Sequence, residues 1–210
     1  MGRTKTLSWI HAQLTKEHTL VICGLSGIGK TRVAVEYVYT YRDEYDIVLW
    51  ANADTQQTME RDICNIAKQL LEHHTGPKRV DKSEAVGLLG FTGIVDDKGE
   101  VLDDPSSYSQ IAQAVKKFLS FSASGCWLLI CDNYDNPNAF DLSTILPNRH
   151  FGKILITSAQ RDHNEDWGSH TIEGLELSAG VQLLLQKSGN DQPGWVQEYF
   201  LFVDILTAFD

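Results

Sequence analysis

Two spacings of apolar residues alternate along this chain. Leu7, Ile10 and Leu14 fall three or four apart, the spacing of one helix face. The run Thr19-Leu-Val-Ile-Cys23 follows, short and continuous, as in a strand covered on both sides. From Lys30 onward Val33, Ala34, Tyr37, Val38 and Tyr41 return to helical spacing. Asp46–Asn52 is a second apolar run. Met59, Ile63, Ile66, Ala67, Leu70 and Leu71 then mark a helix, which Asp54 with Gln57 is expected to start and Gly76-Pro77 to stop.

Residues 78–104 break the rhythm. Gly87, Gly90, Gly93 and Gly99 recur there, with Asp96-Asp97 and Asp103-Asp104, and the segment reads as a loop-rich, solvated insertion. Pro105 to Ser107 opens the next helix, with Ser107 and Gln110 as a capping box and Tyr108, Ile111, Ala112, Val115, Phe118 and Leu119 on its apolar side. Cys126–Asp132 and Lys153–Ser158 are expected as the third and fourth strands, and His170–Leu177 as a fifth. Ser178 caps a last helix closed by Gly189. Strands alternating with helices imply an α/β fold with a parallel sheet and crossover helices on both faces. Residues 1–190 are expected to form that domain. Residues 191–210 form an apolar tail, read either as a helix on the domain or as the remnant of a downstream subdomain.

Composition narrows the function. The chain has 210 residues and a formal net charge of -10, which disfavours a broad nucleic-acid surface. No run of about twenty apolar residues is present, so no membrane span is expected. Cys23, Cys64, Cys126 and Cys131 include no C-x-x-C pair and read as free thiols in a reducing, cytoplasmic setting.

Gly24-Leu-Ser-Gly-Ile-Gly-Lys-Thr31 satisfies G-x-x-x-x-G-K-[ST], and it sits between an apolar strand and an amphipathic helix. Glycines let the main chain wrap closely around phosphate oxygens, and successive N–H groups at a helix start form an anion nest. The nucleotide-contacting residues expected here are Gly24, Ser26, Gly27, Ile28, Gly29, Lys30, Thr31 and Arg32. Lys30 would meet the β- and γ-phosphates of ATP, or the phosphates of ADP, and the Thr31 hydroxyl would ligate Mg²⁺. Asp132, at the end of a buried strand, is the second expected magnesium ligand. Asn133 follows it and cannot take a proton at neutral pH. Asp135 is therefore the catalytic candidate for any hydrolysis. Ser158 and Arg161, at the end of the fourth strand, are candidates for contact with the γ-phosphate.

Gly24–Tyr37 strongly resembles the P-loop segment of NB-ARC proteins, of the STAND class of NTPases and of the fungal NLR-like kind. Trp50-Ala-Asn-Ala-Asp54, Trp127–Asp135 and Gly152–Ser158 extend the resemblance over roughly residues 2–189. It implies a three-layer sheet of the additional-strand (ASCE) P-loop type, and a switch closed with ADP and opened by exchange for ATP. It also places Arg3 near the adenine. In the family an Arg follows the Thr-Thr or Thr-Ser pair, whereas here Ala159 stands there and Arg161 lies two residues on. The expectation is a nucleotide-binding core that self-associates or joins related NB-ARC proteins, with slow ATP hydrolysis at most. Two other readings stay open: an active P-loop ATPase or small-molecule kinase, and a non-catalytic interaction fragment using nucleotide as a structural ligand.

Overall fold

The computed structural model describes residues 3–75, 80–121, 125–147, 152–161 and 166–174. Helix α1 (Thr4–Glu17) leads into strand β1 (Thr19–Cys23), and α2 (Lys30–Tyr41) follows the glycine-rich turn. Strand β2 (Ile47–Asn52), α3 (Gln56–His74), α4 (Lys82–Leu89) and α5 (Tyr108–Leu119) come next. Strands β3 (Trp127–Asp132), β4 (Gly152–Ser158) and β5 (Gly168–Thr171) complete the described chain.

The five strands form one sheet in the order β2-β3-β4-β1-β5, with every pairing parallel. Strand β4 thus lies between β1 and β3, which is the additional-strand arrangement expected from the resemblance. All residues of β1 and β3 are buried. Their side chains alternate between two apolar layers, as the two-residue period of a strand requires. Leu20, Ile22, Leu128, Ile130 and Leu155 pack with α1 and α2, whereas Val21, Leu129, Cys131, Ile154 and Ile156 pack with α3, α4 and α5. Continuous apolar runs in the sequence are the imprint of these two covered faces.

Trp127 is fully buried and its indole N–H donates to the Leu119 carbonyl, 2.9 Å away, at the end of α5. Gly152 opposite it has no room for a side chain: a Cβ there would come 2.1 Å from the indole. Strand β5 begins two residues before the expected His170. Gly168 permits this, since a Cβ there would already meet Leu20 at 3.3 Å.

Other boundaries also move. The cap of α3 is Thr55, not Asp54: the Thr55 hydroxyl accepts from the Thr58 N–H at 3.1 Å, and the Thr58 hydroxyl accepts from the Thr55 N–H at 3.0 Å. Threonine supplies both halves of a capping box that was sought with Gln. Helix α5 has no side-chain cap from Ser107, because Pro105–Ser107 already forms a 3-10 turn that feeds the helix and leaves Ser107 helical.

The insertion contributes to the core. Asp81 caps α4 through the Glu84 N–H at 2.9 Å, and Ala85, Leu89, Phe91, Ile94 and Val101 are buried against α3 and α5. Val95 and Val101 form an isolated antiparallel bridge, while Asp96, Asp97 and Asp104 stay exposed. The expectations for Gly76-Pro77, residues 175–177, the helix over 178–189 and the tail lie outside the described residues.

Candidate functional site

The glycine-rich turn joins the end of β1 to the start of α2 at the carboxyl edge of the sheet. Gly24 is needed for close approach, since a Cβ there would sit 3.1 Å from the Ile172 carbonyl oxygen. Gly27 and Gly29 have φ of 79° and 95°, a region only glycine enters freely, and both have open space around them. Gly29 is the N-cap of α2 and offers no side chain to the first N–H groups. Those donors and the positive end of the helix therefore face the loop, where an anion satisfies both.

Lys30 is buried at 8% exposure. Its ammonium donates to the carbonyls of Gly24 at 2.9 Å and Leu25 at 3.2 Å, so it lies within the curve of the loop. Those oxygens carry no formal charge. A buried cation on neutral partners is a place where an anion binds favourably.

Thr31 and Asp132 are 101 positions apart in sequence and meet here. The Thr31 hydroxyl donates to Asp132 Oδ1 at 2.9 Å and Oδ2 at 3.1 Å. Asp132 is 6% exposed, and burial pushes its carboxyl above the usual carboxylate range. Hydrogen bonds from the Thr157 and Thr31 hydroxyls oppose that shift. A buried carboxylate beside a hydroxyl offers two hard oxygens. Among the described residues no group of three or more His, Cys, Asp or Glu forms a closed metal cage. This donor set suits Mg²⁺, which takes one or two protein oxygens and fills its shell with phosphate and water.

The remaining candidates divide. Arg3 reaches the loop: its guanidinium donates to the Ile28 carbonyl at 3.0 Å, and partial burial lowers its pKa. Arg161 is exposed and lies three residues past the end of β4, the strand beside β1, at the same edge of the sheet. Ser26 is exposed at the tip of the loop. Arg32 points along α2 to Glu36 at 3.5 Å. Ser158 is fully buried; its hydroxyl donates to the Tyr134 carbonyl and accepts from the Gln160 N–H at 3.0 Å. Asp135 accepts the Ala159 N–H, which ties the turn after β3 to the end of β4.

The bonds that Thr157 and Asn133 make around Asp132 were not foreseen from the sequence. Thr157 is fully buried and donates to Asp132 Oδ1. Asn133 has φ of 66° and donates its N–H to the Thr157 hydroxyl at 2.9 Å. A hydroxyl-bearing residue closing an apolar strand beside the acidic one was the available signal for Thr157.

No family model matches the chain. It is 26% identical over 211 residues to a "nucleotide-binding leucine-rich repeat (NLR)-like protein" of Hyaloscypha variabilis, an alignment covering 88% of this chain and 18% of that protein. The chain therefore spans less than a fifth of that relative's length, and the resemblance read from the sequence is borne out. Among solved structures it is similar to Cdc6p of Pyrobaculum aerophilum, with a TM-score of 0.43 and 12% identity over 75% of this chain and 39% of that one. Described helices include none long and apolar enough to cross a membrane.

Proposed function

We propose that this chain is the nucleotide-binding switch module of an NB-ARC, NLR-like signalling protein, taking ATP or ADP with Mg²⁺ and turning ATP over slowly at most. The observation that carries the reading is the Thr31–Asp132 contact, 2.9 Å long, beside the buried Lys30 ammonium. Loop amides and the start of α2 would hold the phosphates, and Lys30 would balance their charge. Thr31 and Asp132 would hold the cation, which supplies charge neutralisation at the phosphates when bound. Arg3, held on the Ile28 carbonyl, would meet the base end of the nucleotide, as the resemblance implies. Arg161, past the end of β4, would be a candidate for reading a γ-phosphate.

Slow turnover follows from the groups beside Asp132. Asn133 cannot act as a base, and Asp135 uses one carboxylate oxygen to accept the Ala159 N–H. Exchange of ADP for ATP, rather than rapid hydrolysis, is then the event that changes the module. Self-association or docking on related NB-ARC proteins belongs to the same proposal.

Titration calorimetry of ADP and ATP into wild type and Lys30→Ala, in Mg²⁺ and in EDTA, tests this. The expected result is Mg²⁺-dependent binding by wild type and its loss in the variant. Equal binding by both proteins overturns the assignment. Steady-state phosphate release should stay below about 1 s⁻¹, the low end for ordinary enzymes.

A further inference from the structure

Thr157 lies on β4, paired with Ile22 of β1, just before the glycine-rich loop. Its surroundings determine which way its one hydroxyl proton points. A hydroxyl has one donor and two acceptor positions, and a main-chain N–H can only donate. The Asn133 N–H fills one acceptor position of the Thr157 oxygen at 2.9 Å. The proton is left to Asp132 Oδ1, which an ionised carboxylate can only accept.

The arrangement is over-determined. Asn133 holds φ at 66°, a left-handed conformation uncommon for a residue with a side chain. That conformation accompanies the N–H contact with Thr157. The Tyr134 N–H bonds the Thr157 carbonyl at 2.9 Å, so the backbone on both sides of the hydroxyl is fixed to β4. The Tyr134 hydroxyl donates to the Phe140 carbonyl at 3.0 Å and anchors the turn from beyond. Asp132 Oδ1 accepts from Thr157, and the Thr31 hydroxyl spans both carboxylate oxygens, 2.9 Å from Oδ1 and 3.1 Å from Oδ2.

We infer that Thr157 is a positioning residue for the cation: its hydroxyl, aimed by the Asn133 N–H, fixes Asp132 in the orientation that presents the carboxylate to Thr31 and to bound Mg²⁺. This rests on the nucleotide-and-magnesium reading above and adds a residue to it. Thr157 would act through Asp132, not directly on phosphate or metal. Removing an outer partner of a metal ligand commonly weakens metal affinity about 10- to 100-fold, and that is the effect expected here.

The test is the Mg²⁺ midpoint for the ADP complex, read by titration at saturating ADP in wild type, Thr157→Val and Thr157→Ser. Affinity for ADP in EDTA is measured beside it. Thr157→Val is expected to raise the Mg²⁺ midpoint about 10- to 100-fold. Its ADP affinity in EDTA should stay within about twofold of wild type, because no group facing the phosphates changes. Thr157→Ser keeps the hydroxyl and should restore the midpoint. In an Asp132→Asn background, Thr157→Val should change nothing further. Should Thr157→Val not fold, Thr157→Cys carries the same test, since its S–H is a weak donor of similar volume.

A wild-type midpoint in Thr157→Val, an equal loss of affinity in EDTA, or no rescue by Thr157→Ser overturns the inference while leaving the nucleotide reading intact. A wild type that binds ADP without responding to Mg²⁺ overturns the metal reading first, and this inference with it.

Discussion

At the ends of β1, β3 and β4, the side chains of Lys30, Asp132, Thr157 and Ser158 are buried, although each would be better hydrated in water. Behind the sheet, α3, α4 and α5 bury Met59, Leu70, Phe91 and Ile94, each at 2% exposure or less. The first region holds its shape by directed bonds: Thr31 and Thr157 to Asp132, Asn133 to Thr157, and Ala159 to Asp135. The second holds by area removed from water, about 25 cal/mol per Å² of apolar surface. Polar groups concentrated at one edge of an apolar sheet mark where stability has been exchanged for binding. The two regions should therefore respond differently to substitution.

The largest effect is expected in the apolar layer. Phe91→Ala should destabilise the protein by about 3–5 kcal/mol, the range for a buried aromatic truncated to Ala. Chemical denaturation measures it, and the fraction still folded should bind ADP with wild-type affinity. Lys30→Ala should do the reverse. Losing a hydrogen bond to a charged group weakens nucleotide binding by on the order of 100-fold, with little change in the melting temperature of the free protein. A large fall in that melting temperature would blur the contrast between the regions.

Asp132→Asn sharpens the contrast through pH. Burial holds the Asp132 carboxyl above its ordinary range, so the folded free protein binds that proton more tightly than the unfolded chain does. Its contribution to stability is full below the ordinary carboxylate range and is lost as pH rises through the raised folded value. Asn does not titrate. Nucleotide-free Asp132→Asn should melt above wild type at neutral pH, and the difference should close on acidification. Thermal melts across pH check it; a variant less stable than wild type at neutral pH would contradict it. Thr55→Ala, which removes the cap of α3, should cost about 1 kcal/mol. That corresponds to about 2–4 °C for a chain of this size, with no change in binding.

Both the fold and half of the site are legible in the sequence, for one reason. Parallel strands buried on both faces must be short apolar runs, so β1, β3 and β4 announce themselves, and so does an acid that ends one of them. The glycine-rich motif is legible because loop geometry and phosphate chemistry both restrict it. The role of Thr157 is not local: it depends on β3 and β4 being neighbours, which only the strand order reveals. Phe91 and Ile94 were hidden for a different reason. Phe91 stands alone between Gly90 and Thr92, and Ile94-Val95 is a pair between Gly93 and Asp96, with no period to mark them, yet Phe91 and Ile94 are buried in the same layer as α5. Thr55 was passed over because its partner in the capping box is another threonine.

The central claim is that Thr31 and Asp132, brought together across the sheet edge, form a cation site for a bound nucleotide. Titrating ADP into wild type and Thr31→Val, each with Mg²⁺ and with EDTA, tests it most directly. Wild type should bind at least about tenfold more tightly with Mg²⁺, and Thr31→Val should show no such gain. The same Mg²⁺ gain in both proteins would contradict the account.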